Sequence, residues 1–353
     1  MQPPSTTARG AATVAALVSL VMVLGACAGG TAQPSPSGPA SAEPSVTLPL
    51  EPTPAAGAVS FAFASEEPVV TRAMTGIDEA YINPGAVIEQ DGTFHMFANV
   101  FTSWPGRVQV PYLTSTDAHA WELAAPDPVL TSDQVEFGAA GADVSSGFVT
   151  DDGTWVLIFE TVSSIKPWVL GRATAPAPEG PWTIDPEPIL EPGPEGSMDA
   201  GGLAWPSVVR TANGYAMYYT AFDVPRGTGV IAMATSADGV TWTKRDESVM
   251  AAEMDWEGGS LDRPRVVAID SGYAMVYAGS DLTDRGLAFS DDGTHWTRDG
   301  ELPVITQDDF PVDGRAWDAA LVELHGALHY LLEIGVATAS RGTQVYLAEA
   351  ELP

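Results

Sequence analysis

Cysteine, basic residues and long apolar runs are all scarce in this chain. Its 353 residues include one cysteine, Cys27, so no disulfide can form within a single chain. The 15 basic residues face 46 acidic ones, and the formal net charge at pH 7 is −31. A surface of that sign repels nucleic acid and anionic lipid, so neither is expected as a partner. The acidic residues show no EF-hand or calcium-binding nonapeptide pattern, and no metal site is predicted from them.

The one long apolar stretch, Ala11 to Leu24, is too short to cross a bilayer comfortably. It ends in Leu24-Gly25-Ala26-Cys27, which resembles a bacterial lipobox, where the cysteine is lipidated after the leader is removed. The alternative interpretation of Cys27 is a buried structural thiol. We expect a lipoprotein signal peptide over residues 1–26 and an exported chain held by Cys27 at the outer face of the cytoplasmic membrane or in the cell envelope, with no other membrane contact.

Residues 27–58 are dominated by proline, serine, glycine and alanine, a composition that predicts a disordered tether. The remaining residues, 59–353, contain a repeat. A glycine opens a run of large apolar residues at intervals of 54–61 residues, and the five glycines are Gly92, Gly153, Gly214, Gly272 and Gly326. Asp-Gly and Asn-Gly pairs at three of these positions supply the positive φ that tight hairpins need.

Each repeat predicts four antiparallel strands. One precedes the glycine, the second follows it, the third leads to a turn and a tryptophan such as Trp242 in SADGVTW, and a short fourth strand ends the unit. Five such units predict an all-β, five-bladed β-propeller. The fifth unit lacks the fourth strand, so we expect the run Val59 to Ala64 to join the C-terminal blade and close the ring. The alternative fold is a two-sheet sandwich with coincidental turn spacing. If the ring is closed and held on a tether, we expect a monomer.

The innermost strands of a propeller line its channel, and the residues at their starts converge on one face. Polar or aromatic residues occur at these starts in register: Asn83, Asp143, Trp205, Asp262 with Arg263, and Asp318. Their recurrence where apolar residues would pack better favours a functional face, with Asp143, Asp262 and Asp318 as candidate catalytic carboxylates. The structural alternative is that these side chains cap strands and bond loop amides.

The pattern P-x-V, G-Y-x-M-x-Y and A-x-S-x-D-G-x-x-W runs from Pro206 to Trp242, and a close variant runs from Pro264 to Trp296. It resembles the five-bladed propellers of the arabinanase, fructosidase and mannoside-phosphorylase superfamily, and the resemblance covers about residues 59–353. It implies a carbohydrate-acting fold and leaves the substrate open.

In arabinanase-like members of that superfamily, a first-blade Asp base, a second-blade Asp that tunes pKa and a third-blade Glu acid hydrolyse the bond. Carried over by position, the resemblance places Asn83, Asp143 and Trp205 in these three roles. Asparagine cannot accept the proton of a water, and tryptophan has no acidic proton to donate. The resemblance thus implies a glycosidase whose acidic triad is not the standard one. Glu160 and Glu333 end second strands and could face the channel, which makes them candidate substitutes for the missing acid.

The segments Asn83 to Ala86 and Leu261 to Val266 resemble the N-P-x-A and E-D-P-R stretches of mannoside phosphorylases, with an extra arginine in the second. That resemblance implies that Arg263 and Arg265 bind an anionic phosphate. The alternative is ion pairing with Asp262 or Asp284.

Aromatic residues near the blade starts are candidate sugar-stacking groups. The predicted substrate-binding residues are Asn83, Tyr81, Trp104, Trp205, Arg263 and Arg265. The tryptophans of the repeat turns are instead expected to pack between blades. No cofactor is predicted, although a calcium ion in the channel stays open because such sites show no motif. Two hypotheses follow: an anchored glycoside hydrolase-like enzyme, or a non-catalytic glycan-binding propeller, with an interaction scaffold as a third alternative.

Overall fold

A computed structural model describes residues 57–138, 141–161, 167–225, 227–336 and 342–352 of the chain. These residues form five antiparallel sheets arranged as the blades of a propeller, which confirms the predicted all-β fold. The predicted signal peptide, Cys27 and nearly all of the predicted tether lie outside the described residues. No helix within the described ranges has the length and apolar character that a membrane crossing requires.

The strands follow the repeat in chain order. A short N-terminal strand, β1, spans Ala62–Phe63. The first blade contains β2 (Tyr81–Gln90), β3 (Thr93–Phe101), β4 (Val108–Val110), β5 (Tyr112–Ser115), β6 (Glu122–Leu123) and β7 (Leu130–Thr131). The second contains β8 (Ala142–Val149), β9 (Trp155–Thr161), β10 (Leu170–Ala175) and β11 (Thr183–Ile184).

The third blade contains β12 (Gly202–Thr211), β13 (Gly214–Phe222), β14 (Gly229–Ser236) and β15 (Thr243–Lys244). The fourth contains β16 (Asp262–Ile269), β17 (Gly272–Ala278), β18 (Arg285–Ser290) and β19 (Thr297–Arg298). The fifth contains β20 (Arg315–Leu324), β21 (Ala327–Val336) and β22 (Gly342–Glu351). Short 3-10 turns span Arg72–Thr75, Ser132–Gln134, Asp255–Glu257 and Gln307–Asp309.

The fifth sheet takes its outer strand from the N-terminal side of the chain. Its order is β1-β22-β21-β20, and Ala62 and Phe63 lie opposite Glu349 and Ala348 in antiparallel register. Val70 adds an isolated bridge to Val345 of β22. These pairings cover part of the outer edge of β22.

Apolar clusters fill the junctions between neighbouring blades, including the junction between the fifth and the first. The turn tryptophans belong to these clusters. Trp182 of the second blade meets Phe97 of the first edge-on at 5.4 Å, and Trp296 of the fourth meets Tyr218 of the third at 5.5 Å. The prediction that they pack between blades is confirmed, and this packing fixes the blade angles that position the channel.

Candidate functional site

All five innermost strands are irregular close to their first residues. Register shifts interrupt the pairing of β2, β8, β12, β16 and β20 with their neighbours. A bulge breaks the alternation of a strand and redirects the side chains beside it. Trp205 and Arg263, each followed by proline, have φ of 51° and 52°, values that bulky residues rarely adopt. Such strain is typical of functional sites, and here it lies at the channel mouth.

A cavity of about 390 Å³ opens at this mouth. It is lined by Tyr81, Asn83, Phe101, Thr102, Ser103, Trp104, Asp143, Trp205, Arg263, Trp317, Asp318 and Glu333. The set combines carboxyl groups of the second and fifth blades, a cation of the fourth blade, and aromatic rings. Concave sites with aromatic walls and a few converging polar groups are typical of small-ligand binding.

Asp143 of β8 is buried against this cavity and is only 4% exposed. Asn83 Nδ2 donates a long hydrogen bond of 3.4 Å to Oδ2, and Oδ1 has no partner among the described residues. Burial, together with the neighbouring charges of Asp318, Glu160 and Glu333, raises the pKa of Asp143 well above its usual range. The Asp143 carboxyl therefore keeps its proton to a higher pH than a free aspartic acid does.

Asp318 of β20 faces the same cavity in a different electrostatic setting. Arg265 Nη2 lies 2.5 Å from Asp318 Oδ1, and the backbone N–H of Ala319 donates to the same oxygen at 2.8 Å. Asp318 Oδ2 has no partner within the described part of the chain. Asp318 thus combines a fixed, charge-paired oxygen with a second oxygen that is free to act on a bound molecule.

Arg265 lies behind the cavity rather than on its wall. Its remaining N–H groups donate to the backbone oxygens of Ala319, Trp205 and Pro264. The alternative of ion pairing holds for Arg265, but the partner is Asp318 and not Asp262 or Asp284. Its donors are used inside the protein, so Arg265 positions Asp318.

Glu160 and Glu333 bring two more carboxyl groups to the channel. The backbone N–H of Trp205 and the Ser145 hydroxyl donate to Glu160 Oε2, and the backbone N–H of Asp318 donates to Glu333 Oε2 at 3.2 Å. Burial, with Asp318 nearby, raises the pKa of both Glu160 and Glu333 to about 8. Glu333 lines the cavity, whereas Glu160 lies outside its lining.

Arg263 is the cation that faces the cavity. Its guanidinium carbon lies 3.9 Å from the centre of a Trp205 ring, and Nε and Nη1 have no partner in the described ranges. The stacking fixes the guanidinium plane and leaves donors for a bound hydroxyl or anion. Asp262, the preceding residue, accepts a hydrogen bond from the Ser260 hydroxyl at 3.0 Å and does not line the cavity.

Aromatic rings form two walls of the cavity. Tyr81 stacks on Phe101 with centroids 5.5 Å apart, and Phe101 contacts Trp104 at 5.6 Å. On the other wall, Trp205 meets Trp168 edge-on at 5.6 Å. The apolar faces of sugar rings pack on such surfaces. Phe101, Thr102 and Ser103 line the cavity although no repeat pattern marks them, because they end β3 and begin a loop.

Asn83 holds the bulge of β2 together. Its Oδ1 accepts hydrogen bonds from Asn99 Nδ2 at 2.8 Å and from the Gly85 N–H at 3.0 Å. Gly85 has φ of 58°, and a Cβ there would lie 2.0 Å from the Phe97 oxygen, so glycine is required. The amide of Asn83 is therefore part of the scaffold that orients Asp143.

Comparison with known proteins gives one partial family match. The family described as beta-1,4-mannooligosaccharide phosphorylase matches residues 215–299, which lie in the third and fourth blades and amount to less than half of the chain. No curated protein shows significant similarity.

Solved structures are similar over the whole propeller. One glycoside hydrolase has 15% identity and a TM-score of 0.61 and covers 83% of this chain and 91% of its own. A second structure is described by the statement that the GH130 family of mannoside phosphorylases contains glycoside hydrolases that target β-1,2 mannosidic linkages in Candida mannan. It has 17% identity and a TM-score of 0.59, and the match covers 85% of this chain and 95% of that one. Zg3597, a family 117 glycoside hydrolase of Zobellia galactanivorans, has 12% identity and a TM-score of 0.61, and the match covers 83% of this chain and 90% of that one. The chain thus has the five-bladed propeller fold of these glycoside hydrolases.

Proposed function

We propose that this protein cleaves glycosidic bonds in the cavity at the channel mouth, with Asp143 as the general acid and Asp318 as the ionised carboxylate. Glycoside cleavage needs one carboxyl group that protonates the leaving oxygen and a second that is ionised. The observation that carries the proposal is the pairing of Asp143 and Asp318. Both line one cavity, each has an oxygen without a partner among the described residues, and their charge environments are opposite.

In the proposed reaction, the Asp143 carboxyl donates its proton to the glycosidic oxygen as the bond to the anomeric carbon breaks. Asp318 acts on the other side of the ring, where it either takes the proton of an attacking water or attacks the anomeric carbon itself. Arg265 fixes Asp318 through the ion pair to Oδ1 and leaves Oδ2 for the reaction. Burial and the charges of Asp318, Glu160 and Glu333 raise the pKa of Asp143, so this carboxyl keeps its proton to a higher pH than a free aspartic acid.

The cavity walls supply the binding groups. Trp205, Trp317 and Tyr81 offer flat apolar surfaces for sugar rings, and the free donors of Arg263 offer hydrogen bonds to hydroxyl groups or to an anion. Mannosides come first among candidate substrates, because the family match and a structural relative are described by mannosidic linkages. A phosphate beside Arg263 would make the reaction a phosphorolysis.

Sugar release from a panel of oligosaccharides tests the proposal. The full chain is incubated with β-1,4- and β-1,2-mannooligosaccharides and other polysaccharides, with and without phosphate, beside Asp143→Asn and Asp262→Asn. We expect release that Asp143→Asn abolishes and Asp262→Asn retains, since Asp262 lies off the cavity. Phosphate dependence separates phosphorolysis from hydrolysis.

The positions of Asn83 and Trp205 favour a second candidate function, binding without cleavage. They stand where the arabinanase-like pattern places a base and an acid, and neither can fill that role. Retention on an immobilised polysaccharide, with no release from any member of the panel, would establish this second function and contradict the first.

We also propose that Cys27 is lipidated and anchors the propeller outside the cytoplasmic membrane through the tether of residues 27–58. The lipobox-like segment before Cys27 supports this proposal. Mass spectrometry of the mature N-terminus is expected to find a diacylated cysteine at position 27. A Cys27→Ser chain that still sediments with membranes would contradict it.

A further inference from the structure

Two histidines and a glutamate converge where the fifth blade meets the first. His119 Nε2 lies 3.1 Å from Glu349 Oε1, and His329 Nε2 lies 2.9 Å from the same oxygen. One ligand atom from each of the three residues falls within 4.8 Å of the others. None of the three lines the cavity at the channel mouth. They form a second polar cluster that the proposed reaction does not use.

The pairing of a histidine with a carboxylate distinguishes the fifth blade from the others at this position of the repeat. His329 and Glu349 are register partners on β21 and β22. The corresponding pairs are Met217 with Ala234 in the third blade and Met275 with Ala288 in the fourth. The third and fourth blades thus fill this position with a buried methionine over an alanine. The second blade has Val156 opposite Thr174, and the first has His95 opposite Thr114. The fifth blade has an imidazole and a carboxylate in the same place.

His329 is buried at this position, with a side chain only 7% exposed, and its Nδ1 has no partner among the described residues. Burying a polar ring costs free energy unless its polar atoms are bonded. A methionine would pack there without that cost, as it does in the third and fourth blades. His95, at the same position of the first blade, bonds the Tyr112 hydroxyl through Nδ1, whereas His329 Nδ1 stays unpartnered among the described residues.

The third member reaches the cluster from the first blade. His119 belongs to the turn STDAHAW, in which Ala118 has φ of 60° where the equivalent turns have Gly239 and Gly293. Asp117 Oδ1 accepts the backbone N–H of His119 at 2.9 Å. Trp121 of the same turn is buried in the cluster that joins the fifth blade to the first. The turn is thus fixed against the fifth blade with His119 above Glu349.

We infer that His119, His329 and Glu349 form a binding site for a divalent transition metal, zinc foremost, that links the first blade to the fifth. Two imidazoles and a carboxylate are ligands that zinc favours, and its bonds to them are about 2.0–2.2 Å long. Ligand atoms of a tetrahedral site with such bonds lie roughly 3.4 Å apart, close to the two distances to Glu349 Oε1. The exposed side of His119 leaves the fourth position to water.

The bound metal would cross-link the first and fifth blades at the junction where the ring closes. The first and fifth blades are distant in sequence, and a ligand set drawn from both forms only in the folded chain. A metal that binds the folded state alone stabilises it by mass action. The strongly acidic surface also raises the local concentration of cations.

Calorimetric titration with zinc tests this inference. The full chain, purified in detergent without a polyhistidine tag and stripped with a chelator, is titrated beside Glu349→Gln, His119→Ala and the control His295→Ala. His295 lies in the equivalent turn of the fourth blade and pairs with Asp292. We expect one site per chain and an affinity at least about tenfold weaker in both cluster variants, with the control unchanged.

Two melting-temperature measurements distinguish loss of the metal site from misfolding of a variant. Zinc at 100 times its Kd is expected to raise the melting temperature of the parent chain by about 5 °C and that of the cluster variants much less. The cluster variants should melt near the parent when all are metal-free, because His119 is half exposed and glutamine matches the shape of glutamate. Absence of a saturable site in the parent chain, or an unchanged affinity in both cluster variants, would overturn the inference.

Discussion

The third and fourth blades differ from the second and fifth in what they contribute. The third and fourth hold the most regular copies of the repeat and the whole of the family match at residues 215–299. The second and fifth depart furthest from that pattern, yet they supply all three carboxyl groups that line the cavity, Asp143, Asp318 and Glu333. The segments that reveal the fold are therefore not the segments that hold the proposed acids.

The buried acidic side chains of the two regions differ in the partners that they have. Glu257 in the fourth blade accepts hydrogen bonds from Arg298 and from the Tyr277 hydroxyl, so its charge is paired inside the fold. Asp143 and Glu333 have no ion-pair partner in the described part of the chain, and burial raises the pKa of both carboxyl groups. The fourth blade thus uses a buried carboxylate to hold its loops, whereas Asp143 and Asp318 each keep one oxygen without a partner among the described residues at the cavity.

The largest effect is expected from Asp143→Asn. Loss of the proposed acid should lower kcat by about 10²–10⁴-fold, because the leaving oxygen is no longer protonated. The parent's rate should fall as pH rises through the elevated pKa of Asp143, since the acid must carry its proton. Rate measurements across pH check both results. Equal losses in Asp143→Asn and Asp262→Asn would erase the distinction between the second and fourth blades.

Opposite pH responses are expected from two buried glutamates. Glu333 has a folded-state pKa of about 8 against 4.5 when unfolded, so the folded chain keeps a proton that the unfolded chain releases. Its contribution to stability is complete below pH 4.5 and is lost as pH rises toward 8, by about 1.4 kcal/mol per pH unit. Glu333→Gln should remove this slope and stabilise the chain at pH 8.

Glu257→Gln is the matched variant in the fourth blade. Burial opposes its charge, but hydrogen bonds from Arg298 and from backbone N–H groups lower the pKa of Glu257. Its contribution is present above pH 4.5 and is lost as pH falls, so Glu257→Gln should destabilise the chain at neutral pH. Urea unfolding at several pH values measures both variants. A shift of the same sign in both would refute the contrast.

A smaller effect is expected from Arg263→Ala, which removes the cavity donors. KM should rise about tenfold or more with little change in kcat, because a hydrogen bond from a charged donor contributes about 1.5–3 kcal/mol to binding. Arg210→Ala in the third blade is the control, since that guanidinium is half exposed and pairs with Asp151. Initial rates over a range of substrate concentrations separate the two constants. A fall in kcat alone would place Arg263 in the chemistry.

The smallest effect is expected from Tyr218→Phe in the third blade. The Tyr218 hydroxyl donates to the Gly293 carbonyl at 2.7 Å across the junction with the fourth blade. Its loss should cost about 1 kcal/mol of unfolding free energy and leave the turnover rate unchanged. Thermal melts and rate assays on the same sample check this. A large loss of activity would mean that the regular blades take part in catalysis.

The fold could be predicted from the sequence because each blade repeats the same local signals. Glycines at hairpin turns mark strand ends in all five units, and tryptophans at the third turn do so in the first four. The sequence also predicts that Val59 to Ala64 joins the C-terminal blade. Ala62 and Phe63 pair with Glu349 and Ala348, and closure of the ring by this segment stays a prediction. Short-range patterns could not predict the strand pairing β4-β7 in the first blade.

The site could be predicted only as a set of strand starts. Asp143, Asp318, Asn83, Tyr81, Trp104, Trp205 and Arg263 all line the cavity, whereas Asp262 and Arg265 do not. The bulges in β12 and β16 explain this division, since a positive φ at Arg263 breaks the alternation that would otherwise indicate which neighbour faces the channel. The partners of Arg265 and the buried contacts of Glu160 depend on blade packing, which no local pattern encodes.

A crystal structure of the Asp143→Asn chain with the oligosaccharide that the release panel identifies would test the central claim most directly. The account predicts a sugar ring in the cavity, the glycosidic oxygen within about 3.2 Å of the side chain at position 143, and Asp318 Oδ2 on the opposite side of the ring. A sugar bound elsewhere on the propeller, or a linkage that faces neither residue, would contradict it.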